Sequence, residues 1–164
     1  MLKIISHTPP ITLTNCCAGA SIFLIIQFKN NKLLKQNGNK IELTPEEKKE
    51  IITLQKLYSN CYQGKTIADA IETTLKLYFN EPNNISLKRL IQTNDNKRRI
   101  YYHQIGYIPS DTHKPTWHHL ISVQDNHTPT YYTLKPTHIQ LLTEDDLNKK
   151  HIKYFSINSI SIKT

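Results

Sequence analysis

The chain is poor in glycine, with four in 164 residues, and no segment is of low complexity, which excludes extended disorder away from the ends. Cysteine is scarce as well. Three cysteines, an odd number at irregular spacing with Cys16 and Cys17 adjacent, exclude a disulfide framework and point to a reducing compartment. No apolar run is long enough to span a bilayer. The longest, residues 18–26, is interrupted by Gly19 and Ser21 and reaches about half the required length. A signal peptide is not expected either, because only Lys3 is basic ahead of that run, Pro9 and Pro10 intervene, and residues 27–30 offer no small-residue cleavage site. Acid is in short supply, with 13 Asp and Glu against 21 Lys and Arg, a net charge of +8 with histidines neutral. The basic residues are spread out, with small concentrations at Lys97, Arg98 and Arg99 and at Lys149, Lys150 and His151. That balance suits a solvated surface, and it also favours an acidic partner, an anionic membrane surface or nucleic acid.

What is present is a core-forming composition, 38 % hydrophobic with a mean hydropathy of −0.50, in a chain of one-domain length. The first half carries the three-to-four period of helices. Ile22, Ile25, Ile26, Lys29 and Leu33 repeat at that spacing, while Phe23 and Leu24 fill other faces. The spacing predicts a mostly buried helix from Cys17, stopped by Asn37, Gly38 and Asn39. A second helix start reads in LTPEEKKEI, where Thr44 caps, Pro45 takes the first helical position and Glu47 closes a capping box. Its apolar face is Ile51, Leu54, Leu57 and Tyr58. Gly64 breaks the pattern, TIADAIETTLKLYF restarts it, and EPNN ends it; residues 85–92 fit either a short helix or a strand. From Asn96 the period becomes two. RRIYYHQIGYI, TWHHLISVQ, TYYTL, HIQLLT and HIKYFSI are β-branched and aromatic, with turn-formers between them and a short capped turn in TEDDL. Helices first and antiparallel strands afterwards predict an α+β fold with the helices packed on a sheet.

The chemistry centres on a cysteine in the first turn of an apolar helix. Unpaired N–H groups and the helix dipole there favour a thiolate, which an unperturbed thiol near pKa 8.5 forms to only about 3 % at pH 7. Such a thiol needs an imidazole. In strand alternation Trp117, His119, Ile121 and Val123 share the more apolar face, so His119 is expected toward the helix layer and His118 toward solvent. Cys17 and His119 are therefore the candidate nucleophile and base. The plainer roles are a small core residue for each of Cys16, Cys17 and Cys61 and a packed strand histidine for His119. A metal site would have to come from His113, His118, His119 and His127, which lack ligand spacing, so no metal and no cofactor is expected. Nucleic-acid binding would rest on Lys97, Arg98 and Arg99 beside Tyr101 and Tyr102, a basic turn entering an aromatic strand. With no dense basic stripe and no RNA-binding signature, a solvated hairpin turn accounts for these residues.

The segment NCCAGASIFLI, with Ser21 four residues after Cys17, resembles the nucleophile helix of papain-like cysteine peptidases. IELTPEEKKEI is similar to the start of their next helix, and WHHLISVQDNHTPTYYTLKP to their histidine strand, turn and following strand. THIQLLTEDDL is similar to the next stretch in the short bacterial branches, the peptidase domains of bacteriocin exporters and the injected effector proteases. These stretches touch about half the chain, in the family's order, and their order and spacing carry more than any single one. The resemblance implies a papain-like α+β domain over residues 1–164, with a helical half at about 15–95 and a sheet half at about 97–164. It implies Cys17 as nucleophile and His119 as general base and acid, with Asn15 or the Cys17 amide near the oxyanion. The family's third member, an Asn or Asp, falls here on Lys135, which cannot accept the imidazole Nδ1–H. Thr137 and the carbonyls around Pro136 are the nearby substitutes; Asp125 is expected in a tight turn too far from the base. Three consequences stay open: a Cys–His dyad, a shifted correspondence, or a fold retained without its chemistry.

The expected activity is thus thiol acyl transfer on a protein substrate, as a protease, deamidase or transglutaminase. The alternative is a catalytically degenerate scaffold serving as an inhibitor, immunity or interaction factor. The partner is a protein, with acidic character favoured by the net charge; peripheral membrane contact is compatible, nucleic acid is not favoured, and no transmembrane segment is expected. The expected location is cytoplasmic, and the effector branch implies delivery into a host or target cell.

Overall fold

The computed structural model describes residues 12–30, 32, 34–64, 66–78, 98–107, 116–125, 128–146 and 154–162. Helix α1, Cys17–Lys29, is buried on nearly every side, with Ile22 and Phe23 fully enclosed, as its all-round apolar sequence requires. It ends at Lys29, short of the expected Leu33, because Asn30 and the polar residues after it no longer supply an apolar face. Asn37, Gly38 and Asn39 do not stop a helix. They turn a hairpin between β1, Gln36–Asn37, and β2, Lys40–Glu42, in which Gly38 supplies a φ of 61°. Ile41 is the buried residue of that hairpin, and β2 uses it to join the main sheet.

Helix α2, Pro45–Cys61, starts as the sequence indicates. Thr44 Oγ1 accepts from the Glu47 N–H at 3.1 Å, and Glu47 Oε1 accepts from the Thr44 N–H at 2.9 Å. It buries Ile51, Leu54, Tyr58 and Cys61. Helix α3, Ile67–Tyr78, buries Ile67, Ala70, Ile71, Thr74 and Leu75, and Tyr78 donates to the Glu50 carboxylate of α2. Helices α1 and α2 cross in close backbone contact at Gly19. Its N–H donates to Gln55 Oε1 at 2.8 Å, and a Cβ there would lie 2.4 Å from the Ile51 carbonyl oxygen.

The remaining strands are β3, Arg98–Tyr107, β4, Thr116–Asp125, β5, Thr128–Leu134, β6, His138–Leu142, and β7, Tyr154–Ile162. All pairings in the seven-stranded sheet are antiparallel, in the order β1-β2-β6-β5-β4-β3-β7. The fold is α+β, with α1 laid against β4 and β5. Ile100, Tyr102, Ile121, Val123 and Ile139 join the helices in the main core, while Ile105, Leu120 and Leu142 form a smaller one. The strand alternation read from the sequence is therefore correct for β4, where Ile121 and Val123 meet the helices and Leu120 does not. After β6 a capped turn is present over residues 143–146, with Thr143 and Asp146 exchanging side-chain to backbone hydrogen bonds at 3.1 and 3.2 Å. Residues 85–92, with His113, His127 and Lys97, lie outside the described residues.

Candidate thiol and imidazole site

Cys17 is the first residue of α1, and it faces β4 rather than open solvent. The backbone N–H groups of His119, Ala18 and Cys17 lie near its sulfur and favour the thiolate form. β3 pairs with β4 from Thr116 to Asp125, but β5 pairs with it only from Ile121 on, so His119 has a strand partner on the β3 side and none on the β5 side.

The His119 imidazole is anchored elsewhere. Its Nδ1 lies 2.6 Å from the hydroxyl of Tyr102, which is wholly buried. Tyr102 pairs with Ile121 and Gln104 with His119, so tyrosine and histidine are diagonal neighbours on the helix-facing side of β3 and β4. The rings of Tyr102 and Tyr58 meet the imidazole edge-on, at 5.5 and 5.8 Å between centroids. Tyr58 stacks in turn on Tyr62, 5.6 Å away and 40 % exposed, so an aromatic pair leads from the surface to the site. The Tyr58 hydroxyl leans toward that of Tyr102 without full hydrogen-bond geometry, and it is buried with no partner among the described residues.

The charge states differ from the expectation of a helix-stabilised thiolate. Cys17 retains some exposed surface, yet burial of the sulfur raises its pKa by more than the three N–H groups lower it. Burial also drives His119 down to about 4. Thiol and imidazole are therefore both neutral at pH 7. Tyr58 and Tyr102 are pushed up by burial, and a thiolate at Cys17 would raise both further.

The other expected site residues have local roles of their own. Asn15 is exposed, with a φ of 55°, and shapes the turn into α1. Thr137 is exposed too, with Oγ1 3.0 Å from His138 Nδ1 rather than at His119. Lys135 uses its N–H on the His138 carbonyl, and the Pro136 carbonyl accepts from Leu13, tying that loop to the segment ahead of α1. The hydrogen-bond partner at His119 Nδ1 is thus Tyr102 of β3. Cys16 and Cys61 are buried, and all three cysteines are free thiols. Among the described residues no three potential ligands gather into a metal site. Comparison with protein-family models, curated protein sequences and solved structures finds no match, so the site is read from its own geometry.

Proposed function

We propose that the protein is a thiol acyl-transfer enzyme acting on a protein substrate, of papain-like character, with Cys17 as nucleophile and His119 as general base. The observation that carries this is the meeting at the tip of α1. The Cys17 thiol lies by the backbone N–H of His119, which favours its thiolate form, while the ring of that same histidine is fixed at Nδ1 by a buried tyrosine. When Tyr102 accepts Nδ1–H, Nε2 is left as the basic nitrogen. The neutral thiol then passes its proton to Nε2, through a side-chain adjustment or one water, as sulfur bonds to the acyl carbon. The carbonyl electrons move onto oxygen, facing the N–H groups of the helix start. An imidazole depressed to about 4 is a weak base, but its protonated form is a strong acid. It returns the proton to the leaving amine readily, and a thioester remains. Water as acceptor makes the protein a protease or deamidase, and an amine makes it a transglutaminase. Free cysteines suit a reducing interior, and the charge of +8 suits an acidic protein partner. Among the described residues no helix is long and apolar enough to cross a membrane.

The test is acylation by p-nitrophenyl acetate, followed by p-nitrophenolate release and intact mass. A burst of about one equivalent per chain is expected, with the acetyl group on Cys17. Cys17→Ala and His119→Ala should each remove it. Acetyl groups shared among Cys16, Cys17 and Cys61 regardless of His119 would end the proposal. One observation favours the second reading, a scaffold that keeps the fold without turnover: both reacting groups rest neutral, and a phenol rather than a carboxylate holds the imidazole. For that reading the burst is absent in a well-folded wild type.

A further inference from the structure

Tyr58 carries a buried polar atom without a partner. The residue is 4 % exposed, and its hydroxyl meets no hydrogen-bond partner among the described residues. A buried hydroxyl left in that state is costly, so the site holds a donor awaiting an acceptor. The Tyr102 hydroxyl bonds His119 and leans toward the Tyr58 oxygen, which leaves the Tyr58 proton without an acceptor among the described residues. The ring of Tyr58 lies edge-on to the imidazole and stacked on the exposed Tyr62, which joins the surface to His119 through one aromatic pair.

Its placement is rigid. Tyr58 is in the last turn of α2, one turn beyond Gln55, whose side chain accepts from Gly19 where α1 and α2 touch. The helix that aims the thiol and the helix that aims the hydroxyl are therefore locked together. A neutral phenol also has the right charge for the task. It can donate to a developing negative oxygen, whereas a carboxylate there would only accept and would repel it.

We infer that the Tyr58 hydroxyl is a catalytic residue, the side-chain donor to the acyl oxygen of the substrate as Cys17 attacks, completing with the N–H groups at the start of α1 the hole for the oxyanion. This rests on the acyl-transfer reading above. It narrows the substrate to one that presents a carbonyl at the inner end of the Tyr58–Tyr62 pair.

The experiment separates the oxygen from the thiol. N-acetylglycinal adds to a cysteine as a hemithioacetal: sulfur bonds to the aldehyde carbon, and the thiol proton ends on the former carbonyl oxygen. Its affinity is read from the protection it gives Cys17 against iodoacetamide, by mass spectrometry. Methyl methanethiosulfonate, which has no carbonyl, reports thiol reactivity alone. In Tyr58→Phe the aldehyde Kd should rise about 10-fold to 100-fold. The methanethiosulfonate rate should stay within about twofold, and the melting temperature should not fall, since the hydroxyl removed had no partner. Unchanged aldehyde affinity in this variant would overturn the assignment of Tyr58 alone, leaving a water-satisfied hydroxyl. Equal losses with both reagents would also overturn it, because the thiol itself would have been disturbed. No aldehyde adduct on the folded wild type would remove the acyl-transfer reading, and this inference with it.

Discussion

At the scale of single residues, the site rests on an exchange between burial and hydrogen bonding. Burial pushes the Cys17 pKa up and the His119 pKa down to about 4, so the pair cannot rest as thiolate and imidazolium. That fixes the pH behaviour. Acylation of Cys17 should be flat from about pH 5 toward pH 9 and fall below, with a midpoint near 4 as the imidazole is protonated; stopped-flow burst rates check this. Alkylation by iodoacetamide requires the thiolate and should instead climb steadily above pH 8. A plateau of fast alkylation from pH 5 upward would mean a resting ion pair and contradict the burial argument. Tyr102→Phe removes the partner of His119 Nδ1 and leaves a buried ring nitrogen unsatisfied. The variant should lose about 1–3 kcal/mol of stability and slow the burst at least 10-fold, by urea titration and stopped flow. His119 was legible in the sequence because alternation tells which face a side chain takes. Tyr102 was not, since its diagonal relation to His119 depends on the register between β3 and β4, and no local pattern encodes that register. The only available signal was weak: an apolar-facing tyrosine on the strand before the histidine strand.

At the scale of elements, local chemistry was readable where it is self-contained. The capping box at Thr44 and Glu47 is a contact between residues three apart, so sequence and structure agree on where α2 begins. The hairpin of Gln36–Asn37 and Lys40–Glu42 was not readable as strands. Gly38 suits a helix stop and a tight reversal equally, and what decides is the pairing of β2 with β6, about a hundred residues away in the chain. The contact that governs the site is also between elements. A Cβ at position 19 would meet the backbone of α2 at Ile51 and Gln55, which no rotamer change can relieve. Gly19→Ala should therefore cost about 1–3 kcal/mol in urea unfolding, or more. It should also slow acylation of Cys17 beyond the stability loss, because it shifts α1 against the helix carrying Tyr58. Full stability in Gly19→Ala would show that the two helices can part without consequence.

At the scale of the whole molecule, the same imidazole joins a second half-buried histidine in setting how the fold responds to acid. His103 stands on β3 with Nε2 2.6 Å from the Ser122 hydroxyl and its ring near those of Tyr101 and Tyr131. Burial lowers its pKa to about 4, as it does for His119. Both rings have an ordinary value near 6.5 when unfolded, so between about pH 6.5 and 4 the unfolded chain binds more protons than the native one. Stability is then complete above about pH 7 and is lost as pH falls through that window, with little further loss from these groups below 4. Each histidine contributes at most about 1.4 kcal/mol per pH unit, and less in practice because both are partly solvated. Glu42, whose carboxyl is held below its usual value by its hydrogen bond and charge contact with Lys35, acts in the same direction. Thermal unfolding from pH 4 to 8 should therefore show a falling melting temperature below pH 6.5, and a double variant His103→Gln, His119→Gln should flatten the slope between pH 6.5 and 5. An undiminished slope in that variant would mean that the acid sensitivity lies elsewhere, and that neither imidazole is held neutral by the packing of helices and sheet.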